Sequence, residues 1–191
     1  MEIRVATIDD LPALAATLAD AFLDDPVWSW MLPERNRYIR LRRILGALLE
    51  PALPTGQVRT TAERDAVAVW SAPGQWQLPL PAVLRVAPPL IRGAGLRLPR
   101  VLRRTGEVER AHQQQPPEHW SLEFLGTAAA VRGKGIGAAL LEEGLERLAG
   151  TPVYLESSNP RNLPFYRRHG FEVTGTVEVR SGPPQWTLWR G

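Results

Sequence analysis

Arg132-Gly133-Lys134-Gly135-Ile136-Gly137 stands between an apolar run, Leu122–Thr127, and a strongly amphipathic one, Ile136–Ala149. Glycines opening a helix cost about 1 kcal/mol each against alanine, so a purely structural turn explains three of them poorly. Without Cβ atoms the backbone N–H groups can converge, and the helix start adds the positive end of its dipole. Such a loop should cradle a pyrophosphate. A P-loop would need Gly at position 128 and Ser or Thr at 135; the chain has Ala128 and Gly135, which rejects it. A dinucleotide fingerprint fits better, because Gly133, Gly135 and Ala138 spell G-x-G-x-x-A and Glu156 ends the next strand. Length defeats that reading. Only 35 residues follow Glu156, and they hold one helix and a hairpin, too few for the parallel strands a dinucleotide fold needs.

Working outward from this stretch, His119–Thr127 reads as a strand. In Ile136–Ala149, Ile136, Leu140, Leu141, Leu145 and Leu148 form the inward face. Val153–Glu156 is a short buried strand, and Arg161–His169 a helix closed by Gly170. Phe171–Arg180 and Gln185–Trp189 make a hairpin. Upstream, Glu2–Val5 is a strand, and Thr7 or Asp9 can cap a helix over Leu11–Leu23. Asp24-Asp25-Pro26 ends that helix, Asp24–Pro33 reads as a loop, and Glu34–Glu50 is a second helix. Gln57–Thr61 and Ala66–Ser71 suggest an antiparallel hairpin, followed by a loop over Ala72–Gln77. Prolines at 79, 81, 88, 89 and 99 break Leu78–Gln115 into short helices, the best being about Pro99–Gln114. The expectation is an α/β (α+β) fold with a mixed sheet and helices on its faces. It forms a single domain over 1–191, with a helical, Pro-rich insertion at about 78–115.

Apolar content of 44% and charged content of 23% are those of a soluble globular chain, and 191 residues can bury one good core. No apolar run approaches the roughly 18–20 residues that cross a bilayer. The start, Met1-Glu2-Ile3-Arg4, lacks the layout of a signal peptide. A cytoplasmic location without membrane association is the expectation. The chain has no cysteine, which excludes disulfides, thiolate zinc and an acyl-Cys intermediate. Its three histidines are too scattered for a metal site. Arginines cluster at 35, 37, 40, 42 and 43 and again at 97, 100, 103 and 104. They are read as solvated helix faces, with no nucleic-acid partner.

A second segment, Asn162-Leu163-Pro164-Phe165-Tyr166-Arg167-Arg168-His169-Gly170-Phe171, follows the glycine loop at a telling distance. With Arg132, Gly135 and Gly137 in R/Q-x-x-G-x-G/A, the pair resembles the GNAT acetyltransferases. More narrowly, Ala66–Trp70, Leu155–Ser157, Pro160–Tyr166 and Val177–Val179 look like puromycin N-acetyltransferase and its relatives. Gly126–Ala130 departs from that pattern, lacking the frequent Val-Asp-Pro before the loop. The resemblance implies a GNAT fold, mostly antiparallel, and direct metal-free transfer from acetyl-CoA, with CoA as product. It implies that Arg132, Gly133, Lys134, Gly135, Ile136 and Gly137 hold the pyrophosphate. The backbone of Phe124, Leu125 and Gly126 would bind the carbonyl and pantetheine, and Asn162 would hold the pantetheine arm, with Phe165 beside it. A helix cap is the other reading of Asn162. Tyr166 would be the acid that protonates the leaving sulfur.

An amine attacks a thioester only when deprotonated, so a base is also needed. Glu156, ending a buried strand, and Glu123, mid-strand among apolar residues, are the two candidates, with a slight preference for Glu156. His119 is a lesser candidate, read as a surface residue at a strand start. Trp28, Trp30 and Trp76 are candidates for an aromatic acceptor pocket, and Asp25 with Asp24 for attracting a cationic acceptor. The leading expectation is a monomeric or homodimeric N-acetyltransferase acting on the amine of a small molecule. An antibiotic or aminonucleoside acceptor would give it a role in antibiotic resistance. A protein N-terminal or lysine acetyltransferase, and a non-catalytic acyl-CoA sensor, are the alternatives.

Overall fold

Strand β3 (Ala66–Ser71) buries Val67 and Val69 on one face and Ala66, Ala68 and Trp70 on the other. A strand apolar on both faces must lie inside a sheet with a helical layer on each side. A computed structural model, which describes residues 1–191, has that arrangement. Seven strands run in the order β1-β2-β3-β4-β5-β7-β6. The others are β1 (Ile3–Val5), β2 (Val58–Thr61), β4 (Trp120–Thr127), β5 (Val153–Ser157), β6 (Glu172–Val177) and β7 (Gln185–Arg190). Every neighbouring pair is antiparallel except β4 with β5.

On one face lie α1 (Leu11–Ala21), α2 (Pro26–Met31) and α3 (Arg37–Ala52), whose Leu14, Leu18, Leu41, Ile44 and Leu45 pack with Val58, Val67 and Val69. On the other, α6 (Ile136–Arg147) and α7 (Leu163–Arg168) bring Leu140, Leu141 and Tyr166 against Trp70, Leu155 and Leu188. The contact between α6 and the sheet depends on Gly144, where an added Cβ would fall 2.2 Å from Trp70 Cζ2. Gly144→Ala should destabilise the fold by about 1–3 kcal/mol, the usual cost of overpacking. Thermal melts should show a loss of several degrees.

The structure corrects four sequence readings. Neither Thr7 nor Asp9 caps α1 by its side chain. Asp10 organises that entry, its carboxylate accepting the Thr7 N–H at 2.9 Å and two Arg4 hydrogen bonds at 2.7 and 2.8 Å. Arg4 is the main cause of an Asp10 pKa well below the ordinary range. The supposed loop Asp24–Pro33 contains helix α2, started by Pro26 in the first-turn position that prolines favour. The proline-rich stretch is not a set of short helices. The helix expected at about Pro99–Gln114 is present as α5 (Leu98–Gln113), but the residues before it form one long helix, α4 (Leu80–Ala94), with Pro88 and Pro89 inside it. Those prolines free the carbonyls of Leu84 and Arg85, both on exposed residues, so the missing donors fall on the solvent side of the helix. Finally, some clustered arginines are structural. Arg40 caps α4 by donating to Gly93 O at 2.7 Å, and Arg97 donates to Leu32 O at 2.7 Å.

Candidate active site

Strands β4 and β5 pair only at Trp120↔Val153, Ser121↔Tyr154 and Leu122↔Leu155, although both run further. Beyond that rung each keeps its outer neighbour, β3 for β4 and β7 for β5, while the two part from each other. The facing backbone groups of Glu123–Thr127 and Glu156–Ser157 are released from the ladder and available to a ligand. The β3–β4 register also shifts, with Val69 opposite Phe124 and Trp70 opposite Leu122. Glu123 is therefore the extra residue of a bulge at the point of parting. Phe124, Leu125 and Gly126 lie along the freed edge. Gly126 has a second duty: a Cβ there would come 2.9 Å from both Leu18 and Ala21 of α1.

Past β4 the chain enters the glycine loop. Gly133 and Gly135 take positive φ (77° and 80°), and neither has an atom within 4 Å of where a Cβ would stand. They serve the backbone path over open space. Gly135 is the N-cap of α6, no side chain caps that helix, and the first N–H groups of Ile136 and Gly137 carry its dipole end outward. Lys134 is exposed beside them. Arg132 is exposed at the start of the loop. Its Nη2 donates to Asp20 O at 2.8 Å and Ala21 O at 3.3 Å, so the guanidinium closes the C-terminus of α1 and ties the loop to it.

Two carboxyls flank the parting strands. Glu156 is half-buried, accepting from Tyr154 Oη at 2.7 Å on Oε1 and from Gln185 Nε2 at 3.2 Å on Oε2. Burial pushes its pKa up to about 8; Tyr154 opposes this, Glu123 adds to it, and Arg104 opposes it. Glu123 retains exposed area at the bulge, although neighbouring atoms crowd its carboxyl. Burial pushes it up to about 7 against the pull of the Ser71 hydroxyl. Each carboxyl is held above its ordinary range by burial, and Glu123 adds to the rise at Glu156.

Tyr166 is buried on α7, edge-on to Phe165 and Phe171. Burial is the sole cause of a pKa above that of ordinary tyrosine; no charge or hydrogen bond contributes. It therefore stays protonated across the working pH range with its hydroxyl uncommitted. Asn162 is exposed and makes no side-chain cap. The cap is Asn159, whose Oδ1 accepts from Arg161 N at 3.1 Å, which leaves the Asn162 amide free.

At the other end of the cleft, Asp25 is buried and engaged. Its Oδ1 accepts from Val27 N and Trp28 N at 2.9 and 3.0 Å, capping α2, and Ser158 donates to its Oδ2. That corrects the reading of Asp25 as an attractor of cations: it latches α2 to the chain leaving β5. Trp30 lies under the guanidinium groups of Arg100 and Arg104, and Trp28 packs at the edge of the α1–α3 core. Trp76 stacks on His112 at 4.0 Å. His119, a lesser base candidate read rather as a surface residue at a strand start, is buried, with its Nε2 2.9 Å from His112 Nε2 and its Nδ1 at the Pro116 carbonyl. Burial and then His119 push His112 down to about 4, so it is neutral at pH 7 and pins α5 to β4. Arg104, Tyr154, Gln185 and Ser158 were not singled out from sequence, where nothing distinguishes a lone tyrosine or glutamine in a strand. Two surface concavities of about 630 and 530 Å³ lie elsewhere, around Ile39 and Arg43 of α3.

Residues 101–173 match the family model described as an acetyltransferase (GNAT) domain. Over 178 residues the chain is 26% identical to an uncharacterized N-acetyltransferase of Schizosaccharomyces pombe, covering 85% of this chain and 70% of that one. A shorter stretch of 49 residues, 26% of this chain and 34% of the other, is 41% identical to peptidyl-lysine N-acetyltransferase YjaB of Salmonella typhimurium. The crystal structure of a histone acetyltransferase HPA2 and related acetyltransferase from Corynebacterium glutamicum superposes with a TM-score of 0.70 at 25% identity. The match covers 98% of this chain and 94% of that one.

Proposed function

We propose that this chain, an acyltransferase whose residues 101–173 match a GNAT acetyltransferase domain, moves the acetyl group of acetyl-CoA directly to the amine of a small molecule. The observation that carries this reading is the pair of carboxyls, Glu123 and Glu156, held above their ordinary pKa where β4 and β5 part. A base with a pKa near the working pH is the most effective one. In this reading Glu156 takes the proton of the acceptor ammonium, and the free nitrogen forms a bond to the thioester carbon. The carbon–sulfur bond then breaks, Tyr166 gives its proton to the sulfur, and the excess proton on the new amide nitrogen passes through solvent to the tyrosinate, restoring Tyr166. The freed edge of β4, Phe124–Gly126, supplies backbone groups for the thioester arm, with Asn162 and Phe165 beside it. The first N–H groups of α6 and the Lys134 charge suit the pyrophosphate.

A small acceptor is favoured by the covering of the acceptor end. Helices α2 and α5 and the β6–β7 turn are joined over it by Arg97, Arg104 and the Asp25–Ser158 latch. An extended polypeptide needs an open groove instead. Resemblance to puromycin N-acetyltransferase makes aminonucleoside antibiotics the first amines to try, with antibiotic resistance as the role and the cytoplasm as the place. The second reading, a protein lysine, draws on the 49-residue match to a peptidyl-lysine N-acetyltransferase. CoA release measured across a panel of small amines and lysine peptides separates the two. Turnover confined to peptides would reject the small-molecule reading.

The donor site has its own test. Gly135→Asp adds a Cβ at φ 80° and a carboxylate where a pyrophosphate would lie. Acetyl-CoA affinity, by calorimetry, should fall at least about tenfold with the fold retained, since a like charge there costs on the order of 1 kcal/mol or more. Unchanged affinity would remove the loop from the donor site.

A further inference from the structure

Arg104 belongs to the inserted helix α5, yet it is only 2% exposed. Its Nη1 donates to Val177 O at 3.1 Å, its Nη2 donates to Pro183 O, and its guanidinium lies 5.8 Å from the centre of the Trp30 ring. Val177 ends β6 and is paired with Gln185, the first residue of β7. The two bonds therefore grip the β6–β7 turn on both sides. Gly182, inside that turn, leaves just enough room: a Cβ would stand 3.1 Å from Arg104 Nη2 and 3.2 Å from Trp30 Cζ2. From the rung that Arg104 holds, Gln185 donates to Glu156 Oε2 at 3.2 Å. An unbroken line of contacts runs from the insertion through the turn to the carboxylate.

Burying a guanidinium is costly, and an apolar side chain of the same size would fill this space with less penalty. A charge kept under such conditions answers other charges. Here they are Glu156 on β5, Asp25 capping α2, and Glu107 one turn along α5. The Nε atom of Arg104 is buried without a partner, so the side chain is placed for its two carbonyls and for the acids it faces.

We propose that Arg104 is a positioning residue for Glu156, fixing the β6–β7 turn so that Gln185 meets the carboxylate and balancing its charge from the inserted helix. This deepens the reading of Glu156 as the base and rests on it. It also gives the insertion a duty beyond covering the acceptor.

The groups facing Glu156 are Tyr154 on its own strand, Glu123 from β4, Gln185 from β7 and Arg104 from α5. Arg104 favours the ionised carboxylate, so removing it must raise the pKa of Glu156 further. A base works only when ionised, and the acidic limb of kcat/KM should therefore move to higher pH in Arg104→Met. Near pH 7 the loss should be about tenfold for each unit the limb moves, with most activity recovered in alkaline buffer. Arg104→Lys keeps the charge and should recover most of the wild-type profile. Gln185→Ala leaves Arg104 in place and should move the limb the same way by less, which keeps the test open if Arg104→Met does not fold. A uniform loss at every pH with an unmoved limb would show a merely structural role and overturn the proposal; so would full activity. Carbon NMR titration of the Glu156 carboxyl reads the same shift without turnover. A shifted titration in Arg104→Met, alongside an active Glu156→Gln, would sink the base reading and leave the positioning intact. An unshifted titration would sink the positioning alone.

Discussion

Glu156→Gln should lower kcat/KM by two orders of magnitude or more near neutral pH and erase its acidic limb. An amide hydrogen-bonds an amine but cannot accept its proton at neutral pH. The amide oxygen can still accept from Tyr154 Oη, and the amide nitrogen can donate to Gln185 once that side-chain amide turns its oxygen toward it, at little cost in packing. Stability gives an independent control. The folded pKa of Glu156 is raised to about 8, above its ordinary value, so the stability present below the ordinary value is lost as pH rises through about 8. Glutamine carries no such penalty, and the variant should melt no earlier than the parent at pH 9. Low activity with undiminished stability would place the defect in proton transfer. Raising the pH supplies neutral amine, so turnover should partly recover in alkaline buffer. Glu123→Gln should mainly raise the acceptor KM. A reversal of the two phenotypes would transfer the role to Glu123, whose pKa near 7 also qualifies it.

The elements nearest the chemistry were those most legible in the sequence. The glycine loop, helix α6 and strand β5 carry strong local signals: positive-φ glycines, a clean apolar stripe, and an apolar run too short for a helix. The parting of β4 from β5 was not legible. It arises where one parallel pair stops at Leu122↔Leu155 and a bulge intervenes at Glu123, both decided by packing of distant segments. Proline counting misled at α4 because Ala82, Val86 and Gly93 hold that helix against α3 despite its lost hydrogen bonds. Charge counting misled at Arg104 because a buried arginine and a solvated one look alike until their partners are known. Asp25 was read for its charge and Arg132 for its place in a signature, and both meet backbone groups at helix ends, α2 for the first and α1 for the second. Helix-end duties of this kind depend on which ends meet in space, which a chain read in order does not show.

Tyr166→Phe should cut kcat by roughly ten- to a thousandfold, the span around general acid catalysis. The change removes one hydroxyl and leaves the ring in its apolar setting against Phe165 and Phe171. No hydrogen bond or charge holds that hydroxyl, since burial alone accounts for its raised pKa. Thermal stability should consequently stay within about 1 kcal/mol of the parent, as expected when no buried partner is left unsatisfied. Acetyl-CoA affinity should also hold, because the hydroxyl matters only as the sulfur gains negative charge; such an interaction acts on kcat and leaves ground-state binding alone. The acidic limb assigned to Glu156 should remain where it was, so the two variants are told apart by their pH profiles as well as by magnitude. A donor whose thiol leaving group is more acidic needs less help from an acid. With such a thioester the Tyr166→Phe defect should shrink, whereas the Glu156→Gln defect should persist. A Tyr166→Phe enzyme as fast as the parent on acetyl-CoA would mean that the sulfur leaves as thiolate or takes its proton from water, and Tyr166 would then be a packing residue of α7 alone.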